Sequence, residues 1–280
     1  MNWIAILLAL GVMALLGLVF GIVLSFAAKK FQVDVDERVA NVRAALPGAN
    51  CGACGYVGCD AFAEAVVAGK TPPNGCRAGG AGAAAAIGEA LGIEVTPAAP
   101  MVACVICQGT AGVAKDRYKY DGYRSCRVAA SLSGGPKECR FACIGLGDCA
   151  YNCKFGAITM RDGIAYIDKN ICAGCGTCAG ICPRRVIELK PLNAQVLVRC
   201  RNSDVAREAR SVCTRACIGC GRCVKECAYD AIHVEDGFAR IDSAKCARCG
   251  KCVTVCPCKC ITLAGAAQDL LESARNNAAV

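Results

Sequence analysis

The feature that most constrains this chain is a pattern of cysteines that is written twice. Shifted forward by 74 positions, the segment from Cys143 to Leu189 falls on the segment from Cys217 to Leu263 without a gap, and 22 of the 47 aligned residues are identical. The closing run of each copy reads Cys-x2-Cys-x2-Cys-x3-Cys-Pro. A duplication of this kind predicts two similar structural units, one following the other.

The spacing within these runs is typical of chains that hold two [4Fe–4S] clusters, in which the fourth cysteine of each run serves the other cluster. Paired Cys-x2-Cys motifs also occur in zinc sites, but four-cysteine runs that close with Cys-Pro favour clusters. The predicted ligands are Cys172, Cys175, Cys178 and Cys153 (site 3), Cys217, Cys220, Cys223 and Cys256 (site 4), and Cys246, Cys249, Cys252 and Cys227 (site 5).

The first copy departs from this pattern at one position. Where the second copy has Cys220, the first copy has Leu146, so one ligand is missing. Cys139 stands four residues before Cys143 and is the nearest spare thiol, which makes it the predicted substitute. The predicted ligands of site 2 are therefore Cys139, Cys143, Cys149 and Cys182. A three-iron cluster, or no cluster at all, is the alternative for this site.

A further four-cysteine motif precedes the duplicated region. Its members, Cys51, Cys54, Cys59 and Cys76, follow the spacing Cys-x2-Cys-x4-Cys-x16-Cys and form site 1. Glycines between the first three allow tight turns around a cluster, and residues 60–68 are predicted to form a helix that leaves the third ligand. Zinc is again the alternative. The sequence thus predicts five [4Fe–4S] clusters.

Composition agrees with a protein that metal centres help to fold. Cysteine accounts for 27 of 280 residues, whereas aromatic residues make up only 5%. Small units of this kind cannot build a large apolar core, so metal–thiolate bonds are expected to supply much of the folding energy. Such thiolates must stay reduced, which favours the cytoplasm.

The formal charge of +9 counts every cysteine as neutral. Five clusters with four thiolates each would bring about −10, so the metal-loaded protein is expected to be near neutral. The net charge therefore gives little support for a nucleic-acid partner. No phosphate-binding glycine loop, catalytic triad or paired-carboxylate motif stands out either, so we expect no catalytic residues for bond-making chemistry.

An apolar run from Trp3 to Ala28 is followed by Lys29 and Lys30. About 20 apolar residues span a bilayer, so this run predicts one transmembrane helix. A cleaved signal peptide would carry basic residues before the run, and none is present. The lysines after it predict that the rest of the chain lies in the cytoplasm. Residues 30–46 are predicted to be a helical spacer with a solvated charged face, capped by Asp34 or Asp36.

The predicted fold class is α+β, with an N-terminal transmembrane helix, a small four-cysteine Fe–S domain and tandem ferredoxin-like 2[4Fe–4S] domains. The predicted boundaries are 1–30 for the anchor, 31–100 for the small domain and linkers, 101–191 and 192–265 for the two ferredoxin-like domains, and 266–280 for the tail. Strands are predicted at 101–106, 157–160, 164–167, 196–199, 231–235 and 238–241, and helices at 81–91 and, weakly, 264–280. Seven cysteines lie outside the five sites: Cys104, Cys107, Cys126, Cys200, Cys213, Cys258 and Cys260. They are expected to be small buried hydrophobes, and an additional metal site is the alternative.

Taken together, the order of these features resembles the B subunits of the Rnf complex, the ion-translocating ferredoxin:NAD oxidoreductase. The resemblance is carried by the membrane anchor, the stretch Leu-Pro-Gly-Ala-Asn-Cys-Gly-Ala-Cys-Gly at 46–55, Cys-Gln-Gly at 107–109, and the modified and regular ferredoxin runs. One departure is that Lys154 and Ala228, not proline, follow Cys153 and Cys227. Proline is not a ligand, so this departure does not affect the predicted sites.

The resemblance implies an electron-transfer component of a translocase in the cell membrane. It would accept electrons from soluble reduced ferredoxin and pass them through its clusters to other membrane and peripheral subunits. Two alternatives remain open: an Rsx-like protein that reduces a redox-sensing regulator, and an electron relay in another membrane dehydrogenase or hydrogenase.

Overall fold

A computed structural model describes residues 3–30 and 36–263 of the chain. The helix predicted at 264–280 lies outside the described residues. The helices, numbered in chain order, are α1 Trp3–Lys30, α2 Glu37–Ala45, α3 Cys59–Val67, α4 Gly80–Leu91, α5 Cys126–Ser131, α6 Asp148–Tyr151, α7 Thr177–Ile181, α8 Ala206–Val212, α9 Arg222–Lys225 and α10 Lys251–Thr254, with a 3₁₀ turn at Pro73–Gly75. The strands are β1 Met101–Val105, β2 Ile158–Arg161, β3 Ile164–Ile167, β4 Ile187–Pro191, β5 Val196–Val198, β6 Ile232–Glu235, β7 Phe238–Ile241 and β8 Ile261–Leu263.

Helix α1 is long and apolar enough to cross a membrane. Its segment Ile6–Lys30 has a mean hydropathy of 2.9, and no part of that segment is buried against the rest of the protein. At 1.5 Å per residue, 28 residues extend roughly 42 Å, which exceeds the ~30 Å hydrocarbon core of a bilayer. Lys29 and Lys30 form its last turn. The predicted helix is confirmed as a candidate membrane span.

The segment after α1 forms the predicted helix, with Glu37 and Arg38 exposed, but this helix is more than a spacer. Asp36 caps α2 by accepting a hydrogen bond from the backbone N–H of Arg38, as predicted for one of the two aspartates. However, α2 packs against α3 and α4, and Val42 on α2 is fully buried beside Phe62 and Ile87. This helix therefore belongs to the small domain, because its one apolar stripe completes that domain's core.

Each copy of the cysteine repeat contains two antiparallel strand pairs. The hairpins β2–β3 and β6–β7 confirm the predicted pairs, and both residues of each Asp-Gly turn have positive φ, as a tight hairpin of the primed type requires. The other pairs join β1 to β4 and β5 to β8. Strands β4 and β8, which follow each Cys-Pro, were not predicted. They bring the end of each copy back to the strand that precedes it.

The cores of the two copies are built from cysteines and a few aliphatic side chains. In the first copy, buried Ile158, Val186 and Ile187 pack in one cluster with buried cysteines, among them Cys143 and Cys178. In the second copy, the corresponding cluster combines aliphatic side chains with cysteines in the same way: Val196, Ile232, Ile261, Cys217, Cys223 and Cys252. The thiols that are candidates for metal binding thus form part of the same cores that hold the strands together.

Gly145 lies where the first cysteine loop of the first copy crosses the β2–β3 turn. Its φ is +87°, and an added methyl group would collide with the carbonyl oxygen of Gly163. Gly219, its equivalent in the second copy, approaches Gly237 in the same way. The loop therefore needs glycine both for its backbone conformation and for its close approach to the turn.

We expect Gly145→Ala to destabilise the first copy by upwards of ~2 kcal/mol, because left-handed strain and the collision act together. Gly156→Ala is the matched control. Its φ is +66°, but nothing lies within 4 Å of an added methyl group, so only strain of about 1 kcal/mol is expected. Chemical unfolding of both variants measures the difference. Equal destabilisation would contradict the close approach.

Candidate iron–sulfur centres

A repeated local structure places the third cysteine of each run. A glycine with left-handed backbone conformation precedes each of the short helices α6, α7, α9 and α10, at Gly147, Gly176, Gly221 and Gly250. The cysteine in the first turn of each helix is buried. The reversal at glycine turns the loop back on itself, so that cysteines two or three residues apart face one cavity.

Site 1 is assembled by the small domain. A cavity is lined by Cys51, Cys54, Cys59 and Cys76, the four cysteines predicted from the motif. Asn50 has a φ of +45°, and its side-chain oxygen accepts a hydrogen bond from the backbone N–H of Cys59 at 2.8 Å. This bond fixes the start of α3 against the cysteine loop, so the motif's asparagine has a positioning role.

Site 3 also brings its predicted members together. The pKa of the Cys178 thiol rises to about 12, mainly because of burial, and Cys172, Cys175 and Cys153 lie close enough to raise it further. The backbone N–H of Ala103 on β1 donates to the sulfur of Cys172 at 3.5 Å. Strand β1 therefore contributes to the surroundings of this site from outside the cysteine runs.

Sites 4 and 5 lie near the surface. Cys217, Cys220, Cys223 and Cys256 line one cavity, as predicted for site 4. In site 5, Cys246 and Cys249 contribute to the raised pKa of Cys252, which shows that they are neighbours. Cys220 and Cys249 are the two exposed cysteines among those that the structure describes. These two sites therefore offer the shortest paths from a thiol to a partner in solvent.

Cys260 is an unpredicted neighbour of site 4. Its sulfur lies 3.5 Å from the sulfur of Cys256. Interaction with the Cys260 thiol is the main cause that lowers the pKa of Cys217 to about 6 and that of Cys256 to about 5. Hydrogen bonds to ligand sulfurs are one of the factors that set a cluster's reduction potential.

Site 2 differs from the prediction in one member. The cavity that contains Cys143, Cys149 and Cys182 is lined by Cys126, not by Cys139. Cys126 is also the neighbour that most raises the pKa of Cys149 after burial itself. Leu146 packs against the same small cluster as Cys126, so the thiol from α5 reaches the place that the missing middle cysteine leaves.

Cys139 instead lies on another side of its loop. Its sulfur accepts a hydrogen bond from the side-chain N–H of Asn202, and its neighbouring thiols are Cys107 and Cys213. The structure therefore does not bring Cys139 to the cavity of site 2, and Cys126 lines that cavity instead. Proximity in sequence suggested Cys139, whereas Cys126 reaches the cavity through a helix seventeen residues upstream of Cys143.

Asp148 holds Cys126 in place. One carboxylate oxygen accepts the backbone N–H of Cys126 at 3.0 Å, and the other accepts the Ser125 hydroxyl at 3.0 Å and the Arg127 N–H at 3.1 Å. The carboxylate thus satisfies the free N–H groups at the start of α5 and joins that helix to α6. Asp148 is a positioning residue for site 2.

We expect Asp148→Ala to weaken site 2, because a lost cap of this kind costs about 0.5–2 kcal/mol. Iron bound at this one site should then be lost faster to a chelator, while the other sites keep theirs. Asp60→Ala is the control, since Asp60 is exposed and its one ion pair among the described residues is with Arg43, where a contribution of about 0–1 kcal/mol is usual. Identical iron loss from both variants would contradict the positioning role.

Burial has an effect on two thiols of site 2 that is opposite to the effect of Cys260 in site 4. It raises the pKa of Cys143 and of Cys149 to about 12, and nearby thiols add to the increase. These two thiols therefore hold their protons at neutral pH, and a bound metal must displace them. Among the described residues, no three such side chains converge closely enough to hold a single metal ion. In sites 1, 2 and 4 the four thiols instead surround a cavity, and this arrangement fits a cluster of several atoms.

Comparison with known proteins agrees with the metal centres. Residues 46–78 match the family model described as a putative Fe-S cluster, which covers site 1. Residues 164–228 and 210–257 match the model of a 4Fe-4S dicluster domain. These matches support [4Fe–4S] clusters in both parts of the chain.

Three relatives match over most of the chain. It is 48% identical over 259 residues to the B subunit of the Na(+)-translocating ferredoxin:NAD(+) oxidoreductase complex of Acetobacterium woodii, a match that covers 92% of this chain and 78% of the relative. It is 40% identical to the B subunit of the ion-translocating oxidoreductase complex of Methanosarcina acetivorans, over 91% of this chain and 97% of that one. It is 39% identical to the corresponding protein of the proton-translocating ferredoxin:NAD(+) oxidoreductase complex of Clostridium ljungdahlii, over 98% of both.

Proposed function

The chain belongs to the family of B subunits of ion-translocating ferredoxin:NAD oxidoreductase complexes, and we propose that it carries electrons from reduced ferredoxin to the membrane subunits of such a complex. The observation that carries this proposal is the series of four-thiol cavities running through the small domain and both repeats. When bound, [4Fe–4S] clusters supply one-electron transfer. The chain's own residues hold the clusters, shield them from water and direct hydrogen bonds to their sulfurs.

The proposed ligand sets are those predicted from the sequence, with one replacement. Site 2 takes Cys126 with Cys143, Cys149 and Cys182, because these four line one cavity. Sites 1, 3, 4 and 5 keep their predicted cysteines. In site 5 the fourth ligand is Cys227, as the exchange of fourth cysteines between paired runs requires.

Ferredoxin is proposed to dock at site 5. Cys249 is exposed, and its loop also carries the exposed side chains of Lys245, Arg248 and Lys251. A basic rim around an exposed metal centre attracts an acidic protein and speeds its association. Electrons would then pass inwards to site 4 and finally to site 1, which lies in the domain next to α1.

Membrane attachment is proposed to be single-pass, with the cluster domains in the cytoplasm. Helix α1 supplies the span, and Lys29 and Lys30 at its end favour the cytoplasmic side for the residues that follow. On that side, ferredoxin and NAD are both accessible. Ion translocation and NAD reduction are assigned to partner subunits, as the resemblance to the family implies.

The function is tested in membranes of a strain that lacks this chain. NAD reduction driven by reduced ferredoxin should fall to background and return with the intact gene, but not with a Cys249→Ala variant. If NAD reduction persists while reduction of a redox-sensing regulator is lost, the Rsx-like alternative is correct. Unchanged activity in both assays would contradict the proposal.

A further inference from the structure

Four cysteines outside sites 1 to 5 come together between the two repeats. Two belong to the first repeat and two to the second, and each comes from a different segment of the chain. We call them the bridging set: Cys107, Cys139, Cys200 and Cys213. No cysteine-run motif connects them, so their proximity is visible only in the folded chain.

Asn202 ties one member from each repeat together. Its side-chain N–H donates to the sulfur of Cys139 at 3.5 Å, and its backbone N–H donates to the sulfur of Cys200 at 3.5 Å. Asn202 is only 1% exposed, so both bonds lie in the interior. A buried amide that donates to two sulfurs suits thiolates, which accept hydrogen bonds and have none to give.

Cys107 receives two more N–H groups. Its sulfur accepts from the backbone of Gly109 at 3.3 Å and from that of Cys143 at 3.4 Å. A side chain does not fit at Gly109, because an added methyl group would come within 2.9 Å of the Ala114 side chain and 3.3 Å of the Cys107 sulfur. The Cys-Gln-Gly segment therefore folds tightly around this sulfur.

Cys213 is held beside the same segment by backbone pairing. It forms a bridge with Ala114, and the neighbouring Thr214 N–H donates to the Val113 carbonyl at 3.1 Å. Ala114 also lies beside Cys107, since a methyl group added at Gly109 would touch both Ala114 and the Cys107 sulfur. Ala114 therefore connects Cys107 with Cys213, as Asn202 connects Cys139 with Cys200.

The surroundings of the bridging set are positively charged. Arg199 donates to the Cys107 carbonyl, and its Nε atom is buried without a hydrogen-bond partner among the described residues. Lys137 is buried as well, but it already pairs with Asp116 at 2.8 Å, so of these two Arg199 is the buried cation without a carboxylate partner among the described residues. Buried cations need compensating negative charge. A [4Fe–4S] core with four thiolates carries about −2 and would provide it.

We propose that the bridging set binds a sixth [4Fe–4S] cluster, an inference that rests on the proposed electron-transfer function. The site lies between site 2 and site 4. The Cys143 N–H that reaches Cys107 belongs to a ligand of site 2, and the Cys217 N–H, which donates to Cys200 at 3.2 Å, belongs to a ligand of site 4. The sixth cluster would therefore connect the two repeats.

Its role follows from this position. The reduced cluster of one repeat would give one electron to the bridging cluster, which would change from the 2+ to the 1+ state. The donor cluster would lose that electron and return to its 2+ state. No proton would be transferred, and no bond would form or break. The electron path then runs without interruption through site 5, site 4, the bridging cluster, site 2 and site 3. Three cysteines remain without a metal in this assignment: Cys104, Cys258 and Cys260.

Iron and sulfide analysis of the full-length protein, purified without oxygen in detergent, tests the proposal. Six clusters require about 24 irons per chain, whereas five require about 20. Cys107→Ala and Cys213→Ala should each remove about four irons, and the double variant should also remove about four, because both cysteines serve one cluster. Cys104→Ala is the matched control, since Cys104 is equally buried and lies three positions from Cys107. It should lose none.

An unmodified protein with about 20 irons would overturn the proposal, whatever the variants do. Zinc in place of iron at this site, or additive losses of about eight irons in the double variant, would overturn it as well. Cys249→Ala distinguishes a failure of the sixth cluster from a failure of the proposed function. This variant should lose about four irons from site 5. If it loses none, the clusters of the proposed function are themselves in error.

Discussion

Cys126→Ala is expected to remove one whole cluster, about four irons, from the first repeat. With Cys126 absent, site 2 keeps only Cys143, Cys149 and Cys182, and we expect these three thiolates to be too few to retain the cube. The variant should also lose the cluster's absorbance and EPR signal in proportion. The effect is large because no other thiol lines this cavity.

Leu146→Cys provides the decisive rescue. In the second repeat the equivalent position is Cys220, so this change rebuilds the regular run. Leu146 already packs beside Cys126. Adding Leu146→Cys to Cys126→Ala should therefore restore about four irons.

Cys139→Ala is the matched comparison. It should also cost about four irons, but from the bridging site, so Leu146→Cys should not restore them. The double variant Cys126→Ala/Cys139→Ala should lose about eight irons. If Leu146→Cys instead rescues Cys139→Ala, or if the double variant loses only about four irons, both cysteines serve site 2 and the corrected ligand set is wrong.

Removal of residues 1–30 is expected to convert the chain from a membrane protein to a water-soluble one without loss of iron. The segment Ile6–Lys30 has no contacts that bury it in the rest of the protein, so its deletion should leave the cluster domains intact. Each leucine, isoleucine, phenylalanine or valine at the centre of a span favours insertion by about 0.3–0.6 kcal/mol. A span with many of them holds the chain in the membrane effectively irreversibly.

Flotation with phospholipid vesicles in high salt measures this effect on the purified chain alone. The full-length protein should rise with the vesicles, and the shortened protein should stay at the bottom of the gradient. A variant in which residues 3–28 are replaced by an unrelated apolar helix of equal length should float as the full chain does. Equal flotation of full-length and shortened proteins would contradict the role of α1 as the anchor.

Local sequence patterns predicted much of the fold, because turns, helices and cysteine loops are determined mainly by residues that are close together in the sequence. The Asp-Gly turns placed both hairpins, and the apolar run before Lys29 placed α1. The regular Cys-x2-Cys-x2-Cys runs brought together the thiols of sites 3 and 4 as predicted. In each case the spacing along the chain determines the geometry directly.

Long-range contacts were harder to predict. Cys126 reaches site 2 through a hydrogen-bonded link from α5 to Asp148, and no spacing rule covers that distance. One signal in the sequence could have indicated a metal-binding role for Cys126. The same shift of 74 positions that aligns the repeats also aligns Cys126 with Cys200, and Cys139 with Cys213. Cysteines repeated at equivalent positions indicate a shared role, and Cys139, Cys200 and Cys213 are members of the bridging set.

The role of α2 was missed for a related reason. Its charged residues predict a solvated face, whereas the sequence does not show which helices cover the apolar stripe around Val42. Those partners, α3 and α4, lie on either side of the 3₁₀ turn that leads to the fourth ligand of site 1. A short helix with few apolar residues is thus part of a metal-binding domain because of its neighbours.

The most direct test of the electron-transfer function is rapid mixing of reduced ferredoxin with the purified, fully iron-loaded chain under anaerobic conditions. The broad visible absorbance of the clusters should bleach as ferredoxin is oxidised, with more than one electron taken up per chain. Rising ionic strength should slow the reaction, because the basic rim of site 5 attracts an acidic partner. A chain that carries its iron but accepts no electrons from ferredoxin would contradict the proposed function.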